Sequence, residues 1–198
     1  MDNWKYIFDE DILKPNINFA ALFVLNFECL KDYIVTQLRD FYYDITIEDG
    51  ELHSKETVEY KRKVRQLEKN IDDASLRWFV NTGAITEEDY ELYQKMRRRR
   101  NDITHELLKN LSKGFAGKDA ELFGEMLDLY NKIDKWRINE IEIPTSGEYL
   151  PTDYDSEQVF GGQAMILSII NNVVLGNEQS KYKELLNELR KFGIKRPE

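Results

Sequence analysis

Apolar residues recur at helical spacing along most of the chain, separated by polar and charged positions. The first long segment carries Phe19, Leu22, Phe23, Phe27, Leu30, Ile34, Leu38 and Phe41. Because residues three and four apart share one face of a helix, this spacing predicts a helix over residues 18–43. The preceding residues, with Pro15 near their end, indicate an irregular N-terminal arm over 1–16.

The same periodicity predicts further helices and the connections between them. Residues 44–52, which include Asp49 and Gly50, are predicted to form a turn or loop. Ser54 is a suitable N-cap for a charged second helix, and Thr86 with Asp89 suits a capping arrangement at the start of a later one. Pro144 to Gly147 indicate a break. The predicted helices cover residues 54–70, 73–81, 86–112, 119–141, 156–175 and 178–192.

These elements predict an all-α protein, namely a helical bundle with an additional C-terminal helical hairpin. The expected division is an arm over residues 1–16, a bundle over 17–142, a linker over 143–155 and two helices over 156–198 that pack on the bundle. The acidic, tyrosine-bearing composition of residues 148–155 suggests the linker. No internal repeat interrupts this scheme.

Composition narrows the classes of function. Cys29 is the only cysteine, so the chain cannot form an intrachain disulfide or a multi-cysteine zinc site, which fits a reducing compartment. The longest apolar runs are too short to span a bilayer, and the opening residues do not resemble a secretory signal, so we expect a cytoplasmic protein without membrane contact. The formal net charge of −9 opposes nucleic-acid binding unless a local positive patch exists.

The arginine run at Arg97, Arg98, Arg99 and Arg100 supplies such a patch on the helix predicted over 86–112. On a helical wheel, an apolar stripe formed by Tyr93, Met96, Ile103, Leu107 and Leu111 includes Arg100. A guanidinium in that stripe must be paired or must face a cleft or interface, because burial of an uncompensated charge costs several kcal/mol. Asn101, His105, Arg98 and Lys109 lie on the adjoining flank.

This grouping suits chemistry on a phosphate. Imidazole titrates near neutral pH and can exchange a proton with a ribose hydroxyl, and arginine offers a planar fork of donors to a phosphate. The competing interpretation is that the arginines form surface salt bridges and that His105 only flanks the core. The other histidine, His53, lies in a predicted loop and is expected to be an exposed spectator.

The segment from Arg100 to His105 resembles the signature of the HEPN family: an arginine, a polar residue directly after it, and a histidine after four to six intervening residues. Here four residues separate Arg100 from His105, and Asn101 is the polar residue. The motif lies on a late helix of an all-α bundle, as in that family. The resemblance covers residues 17–142. One departure is Leu107, because the toxin branch regulated by nucleotidyltransferases usually has tyrosine there.

The resemblance implies a metal-independent endoribonuclease that acts as a homodimer, with the motif helices of two subunits meeting at one cleft. His105 would then be general base or acid for attack by the 2′-hydroxyl, Arg100 would hold the scissile phosphate, and Asn101 would orient one of them. Arg97, Arg98 and Lys109 would bind RNA, and neither a cofactor nor a metal is expected. Many family members act in toxin–antitoxin or antiviral systems, so an antitoxin or regulatory protein is a further expected partner.

Two other functions remain compatible with the sequence. The chain could be a non-catalytic dimerisation or partner-binding module in which Arg100 is an interface ion-pair residue. It could also be a regulator that binds a nucleotide or anion through the arginine run without chemistry. The arrangement of Arg100 and His105 around a common accessible cleft distinguishes the ribonuclease from these alternatives.

Overall fold

A computed structural model describes residues 7–48, 50–147, 150, 152 and 154–176. Helix α1 spans Glu10–Tyr42, and strands β1 (Tyr43–Glu48) and β2 (Glu51–Glu56) follow it directly. Helix α2 is a short turn, Val58–Tyr60, which continues as a wider π-helix over Lys61–Arg65. Helices α3 (Ile71–Asn81), α4 (Glu87–His105) and α5 (Leu107–Lys113) come next.

The second half of the described chain is also helical. Helix α6 spans Gly117–Arg137 and passes through a π-helical turn, Ile138–Glu142, into α7 at Ile143–Ser146. A 3₁₀ turn at Ser156–Gln158 precedes α8, Gly162–Leu175. The predicted all-α class is therefore confirmed, with one small two-stranded sheet added. The second helix of the predicted C-terminal hairpin, over 178–192, lies outside the described residues.

Helix α1 is the centre of the bundle and packs against α3, α4, α6 and α8. Its buried side interlocks with aromatic and aliphatic residues of α4 and α6, and the ring centroids of Phe27 and Tyr93 lie 5.3 Å apart. The side chains of Asn26 and Asn171 exchange two hydrogen bonds of 2.7 and 3.0 Å between α1 and α8. The core includes Phe23, Phe27, Leu30, Ile34, Tyr93, Met96, Met126 and Ile133.

The predicted irregular arm is wrong for its last residues, because α1 begins at Glu10 and contains Pro15. The side chain of Asp9 accepts a hydrogen bond of 3.1 Å from the backbone of Asp11 and caps the helix. Asn18 donates to the carbonyl of Val174 on α8. These tertiary and capping contacts hold the first turns in place, although the proline removes one backbone donor.

The predicted loop over 44–52 is wrong as well, since β1 and β2 form an antiparallel hairpin there. Glu48 pairs with Glu51, and Gly50 lies in the turn between them with a φ of 83°. An Asp-Gly pair between alternating apolar residues is the strongest short-range hairpin signal. Strand β2 takes the residues that were predicted to begin the second helix, and Thr57, not Ser54, caps α2.

The break predicted at Pro144 is displaced. The chain stays helical through Ile143–Ser146, and Gly147 ends it with a φ of 69°. Proline is tolerated near the start of a helical turn, whereas the left-handed conformation at the end suits glycine. Among the described helices, none is both long enough and apolar enough to cross a membrane.

Candidate functional site

Helix α4, which carries the arginine run, is fixed at its start by a capping box. The hydroxyl of Thr86 accepts from the backbone N–H of Asp89 at 3.3 Å, and the carboxylate of Asp89 accepts from the backbone of Thr86 at 2.8 Å. Lys132 of α6 forms an ion pair with the same carboxylate. Burial acts to raise the pKa of Asp89, but Lys132 and the bonds from Thr86 outweigh it and lower that pKa. The capping arrangement predicted at Thr86 and Asp89 is confirmed.

Arg97 binds acids at the start of α3. Its guanidinium donates to the two carboxylate oxygens of Asp73 at 2.8 and 3.1 Å and lies 3.7 Å from the carboxylate of Asp72. Burial acts to raise the pKa of Asp73, but hydrogen bonds from Arg97 and Gln94 lower it overall. An RNA phosphate would have to compete with Asp73 for this guanidinium.

Arg99 binds α6 in the same manner. Its Nε donates to Asp119 at 2.7 Å, and its Nη1 donates to the side chain of Asn110 at 2.9 Å. Asp119 is buried and also accepts from the backbone of Ala116 at 2.8 Å. Arg99 therefore joins α4 to the start of α6.

Arg100, the arginine of the proposed motif, faces α1. Its Nη2 donates to the carboxylate of Glu28, and its Nη1 donates to Oδ1 of Asn101 at 2.9 Å. The guanidinium lies 5.8 Å from the ring centroid of Phe27. The Nε atom is buried and has no acceptor among the described residues. The requirement that a guanidinium in the apolar stripe be paired is therefore met by Glu28.

Arg98, Asn101 and His105 lie along the outward face of α4, at positions i, i+3 and i+7. These spacings place the three side chains in one line because residues three, four and seven apart share a helix face. Arg98 and His105 are exposed, and neither has a hydrogen bond or ion pair to any residue in the described part of the chain. We call this set the outward line. Asn101 joins it to Arg100 through the 2.9 Å hydrogen bond.

The helix predicted over 86–112 is broken directly after His105. Glu106 adopts a φ of −120° and a ψ of 36°, and α5 begins at Leu107. The hydroxyl of Thr104 bonds back to the carbonyls of Arg100 and Asn101, which bends helices, and the side chain of Asn110 donates to the carbonyls of Asp102 and Glu106. Side chains after the break therefore no longer follow the phase of α4.

The break at Glu106 changes the surroundings of the residues after it that were predicted to lie on the apolar stripe or on its polar flank. Leu107 is 43% exposed instead of completing the apolar stripe, whereas Leu111 is buried. Lys109, predicted to contact RNA, forms an ion pair of 2.5 Å with Glu106. Leu108 is 69% exposed, so an apolar surface follows His105.

An open cavity of 670 Å³ lies where α4, α5 and α6 meet. It is lined by groups of both charges, including Arg99, Asp102, Lys109, Lys113, Lys118 and Glu125. Neither Arg100 nor His105 lines it. Arg100 turns towards α1, whereas His105 is exposed on the outward side of α4, and no hydrogen bond joins the two side chains in the described chain.

Two further observations bear on the chemistry of the site. Within residues 7–48, 50–147, 150, 152 and 154–176, no three His, Cys, Asp or Glu side chains are grouped to hold a metal ion. His53 is exposed as predicted, but it lies on β2, opposite Thr46, and not in a loop.

Glu28 could not be identified from the sequence, since it lies 72 residues before its partner Arg100 and no local pattern joins them.

Comparison with known proteins finds no matching family model, no matching curated protein and no matching solved structure. Membership of the HEPN family therefore stays a prediction from the Arg100–His105 motif. A functional proposal therefore depends on the geometry of this chain and on that motif resemblance.

Proposed function

We propose that the protein is a metal-independent endoribonuclease of the HEPN type that acts as a homodimer. His105 exchanges the proton of the ribose 2′-hydroxyl or of the leaving oxygen, and Arg100 binds the scissile phosphate. Asn101 orients Arg100, and Arg98 draws the RNA backbone to the site. Cleavage by the 2′-hydroxyl leaves a 2′,3′-cyclic phosphate and a 5′-hydroxyl.

The observation that carries this proposal is the outward line. His105 is exposed and unpaired within the described chain, so its imidazole is accessible for proton exchange with a substrate. Arg98, two turns away on the same face, is the one arginine of the run without an internal acid among the described residues. In a protein with a net charge of −9, that exposed cation provides local attraction for a phosphate.

A homodimer accounts for the different directions of Arg100 and His105. A two-fold contact along α4 brings the motif of each copy beside its counterpart, so Arg100 of one subunit and His105 of the other can face the same phosphate. Exposed apolar side chains occur close to the motif and suit such a contact: Leu25 lies one turn before Glu28 on α1, and Leu107 and Leu108 follow His105 on α5. Lys109 and Arg97 are paired with Glu106 and Asp73, so they act on RNA only if they leave these carboxylates.

The biological setting rests on the family resemblance alone. We infer a cytoplasmic protein that arrests growth by cutting RNA, in a toxin–antitoxin or antiviral system, and that is restrained by an antitoxin or regulatory protein. Leu107 argues against regulation by modification of a tyrosine at that position.

A second function has an observation in its favour. Arg97, Arg99 and Arg100 all bind acids of the same chain. The run therefore also serves to hold helices together, as in a non-catalytic dimerisation or partner-binding module. Such a module needs no proton-transfer group, so the two functions differ in what His105 does.

Replacement of His105 by alanine separates these functions. Loss of a proton-transfer group is expected to reduce RNA cleavage by about 10²- to 10⁴-fold. The free energy of unfolding should change by no more than about 0.5 kcal/mol, because His105 is exposed. Cleavage is measured on single-stranded RNA in excess EDTA, together with urea unfolding and light scattering to establish the dimer.

His53→Ala is the matched control and should cleave RNA as the wild type does. Arg100→Lys keeps the charge but loses the planar fork, so it should also impair cleavage. If His105→Ala cleaves at the wild-type rate, or if the wild type cleaves nothing, the non-catalytic module replaces the ribonuclease. Activity that EDTA abolishes would point to a carboxylate metal site instead.

A further inference from the structure

The hydrogen bonds of Arg100 leave part of its guanidinium available for a ligand. An arginine side chain carries five N–H donors, one on Nε and two on each terminal nitrogen. One donor of Nη2 binds Glu28, one donor of Nη1 binds Asn101, and Nε is buried. One N–H on each terminal nitrogen therefore remains without an acceptor among the described residues and can serve a ligand such as a phosphate.

Glu28 is placed to set the direction of that pair. It lies on α1, next to Phe27, whose ring packs on Tyr93 of α4 and fixes the two helices against each other. The side chain of Glu28 is 39% exposed and that of Arg100 is 29% exposed, so the ion pair lies at the surface edge of the α1–α4 contact. The carboxylate of Glu28 has no other ion-pair partner in the described chain.

We propose that Glu28 is a positioning residue for the ribonuclease reaction, which rests on the proposed function. Its carboxylate anchors one terminal nitrogen of Arg100 while Asn101 anchors the other, so that the two remaining N–H groups are held towards the scissile phosphate. Glu28 does not touch RNA and acts only through Arg100. Its charge also permits an arginine in an apolar stripe, because the guanidinium is paired before RNA arrives.

The experiment is a double-mutant cycle on RNA cleavage, with Glu28→Ala, Arg100→Ala and the double variant. Glu28→Ala frees the guanidinium to reorient, and misplacement of a positioning group by about 1 Å costs about 10²-fold in rate. In the Arg100→Ala background, Glu28→Ala should have no further effect on kcat, because the residue through which it acts is gone. Glu28→Gln keeps an acceptor oxygen and should recover most of the activity.

Asp32→Ala is the control, since Asp32 is an exposed acid one turn farther along α1 whose side chain, among the described residues, accepts only from Thr36. It should cleave at the wild-type rate. A Glu28→Ala variant that cleaves as fast as the wild type, or faster, overturns the positioning role while the ribonuclease stands. A loss that is equally large in the Arg100→Ala background also overturns it, because Glu28 would then serve the fold. If the wild type does not cleave RNA, or cleaves it no faster than His105→Ala does, the proposed function and the positioning role of Glu28 are both wrong.

Discussion

The inward and outward sides of helix α4 carry the same residue type in opposite states. On the inward and lateral sides, Arg97, Arg99 and Arg100 bind acids from α3, α6 and α1 respectively. On the outward side, Arg98 is exposed and has no such partner among the described residues. Four consecutive arginines therefore comprise three internal links between helices and one free surface charge.

The difference follows from helix geometry. Each residue advances about 100° around the axis, so neighbours in sequence point in different directions and meet different helices. Three of the four directions meet a carboxylate that another helix has placed there. A run of like charges is therefore not one electrostatic patch, and the role of each member depends on which helix it faces.

The largest expected contrast is in stability. Arg99→Met keeps most of the side-chain volume but leaves the buried carboxylate of Asp119 without its cation. Removal of one partner of a buried ion pair costs about 3 to 5 kcal/mol, and we expect the lower end because 22% of the Arg99 side chain is exposed. Urea unfolding measures the loss.

Arg98→Met is the matched control for that experiment, and its free energy of unfolding should lie within about 0.5 kcal/mol of the wild type. If the two substitutions lower the free energy of unfolding equally, the ion-paired and the exposed arginine do not differ in their contribution to stability. A stable Arg99→Met variant would mean that the ion pair with Asp119 adds nothing to the fold.

The next contrast concerns pH. Because the folded state lowers the pKa of Asp89, the charged carboxylate stabilises the protein above its unfolded pKa of about 3.9. This stabilisation is complete near pH 7 and is lost as pH falls from about 4 through the lower folded pKa. Asp89→Asn should therefore be less stable than the wild type by about 1 kcal/mol at pH 7, with the difference shrinking below pH 4.

Thermal unfolding across this pH range measures the effect of Asp89→Asn. Glu91→Gln is the control, since Glu91 lies exposed on α4 without an ion pair in the described residues. The difference in stability between Asp89→Asn and the wild type could instead stay constant from pH 7 to pH 3. That result would show that the capping hydrogen bonds, and not the charge, stabilise the start of α4.

The smallest expected effect concerns the free arginine itself. If Arg98 contacts a phosphate of single-stranded RNA, Arg98→Ala should make the negative slope of log affinity against log salt shallower by about 0.7. Between 50 and 200 mM salt, the wild type would then lose about 2.6-fold more affinity for RNA than the variant does. Fluorescence anisotropy measures this with His105→Ala as the parent protein, because we expect that variant to cleave RNA too slowly to disturb the binding measurement. An unchanged slope would show that Arg98 does not contact an RNA phosphate.

The sequence contains local signals, other than the helical spacing of apolar residues, that predict two features of the structure. The hairpin over Tyr43–Glu56 was predictable from the Asp-Gly pair between alternating apolar residues. The break after His105 had a weaker signal in Thr104, whose hydroxyl bonds back along the helix. That signal does not by itself end a helix, and the side chain of Asn110, which comes from the next helix, completes the break.

By itself, the sequence determined the helical class, the capping of α4 by Thr86 and Asp89, and the alignment of Arg98, Asn101 and His105 on one face. These features depend on spacing within a single helix, which local geometry fixes. Only the tertiary structure decided which arginines are engaged, because Asp73, Asp119 and Glu28 come from three other helices. An ion pair between distant segments needs both helices packed in one particular arrangement, and the residue pattern of either helix alone does not specify that arrangement.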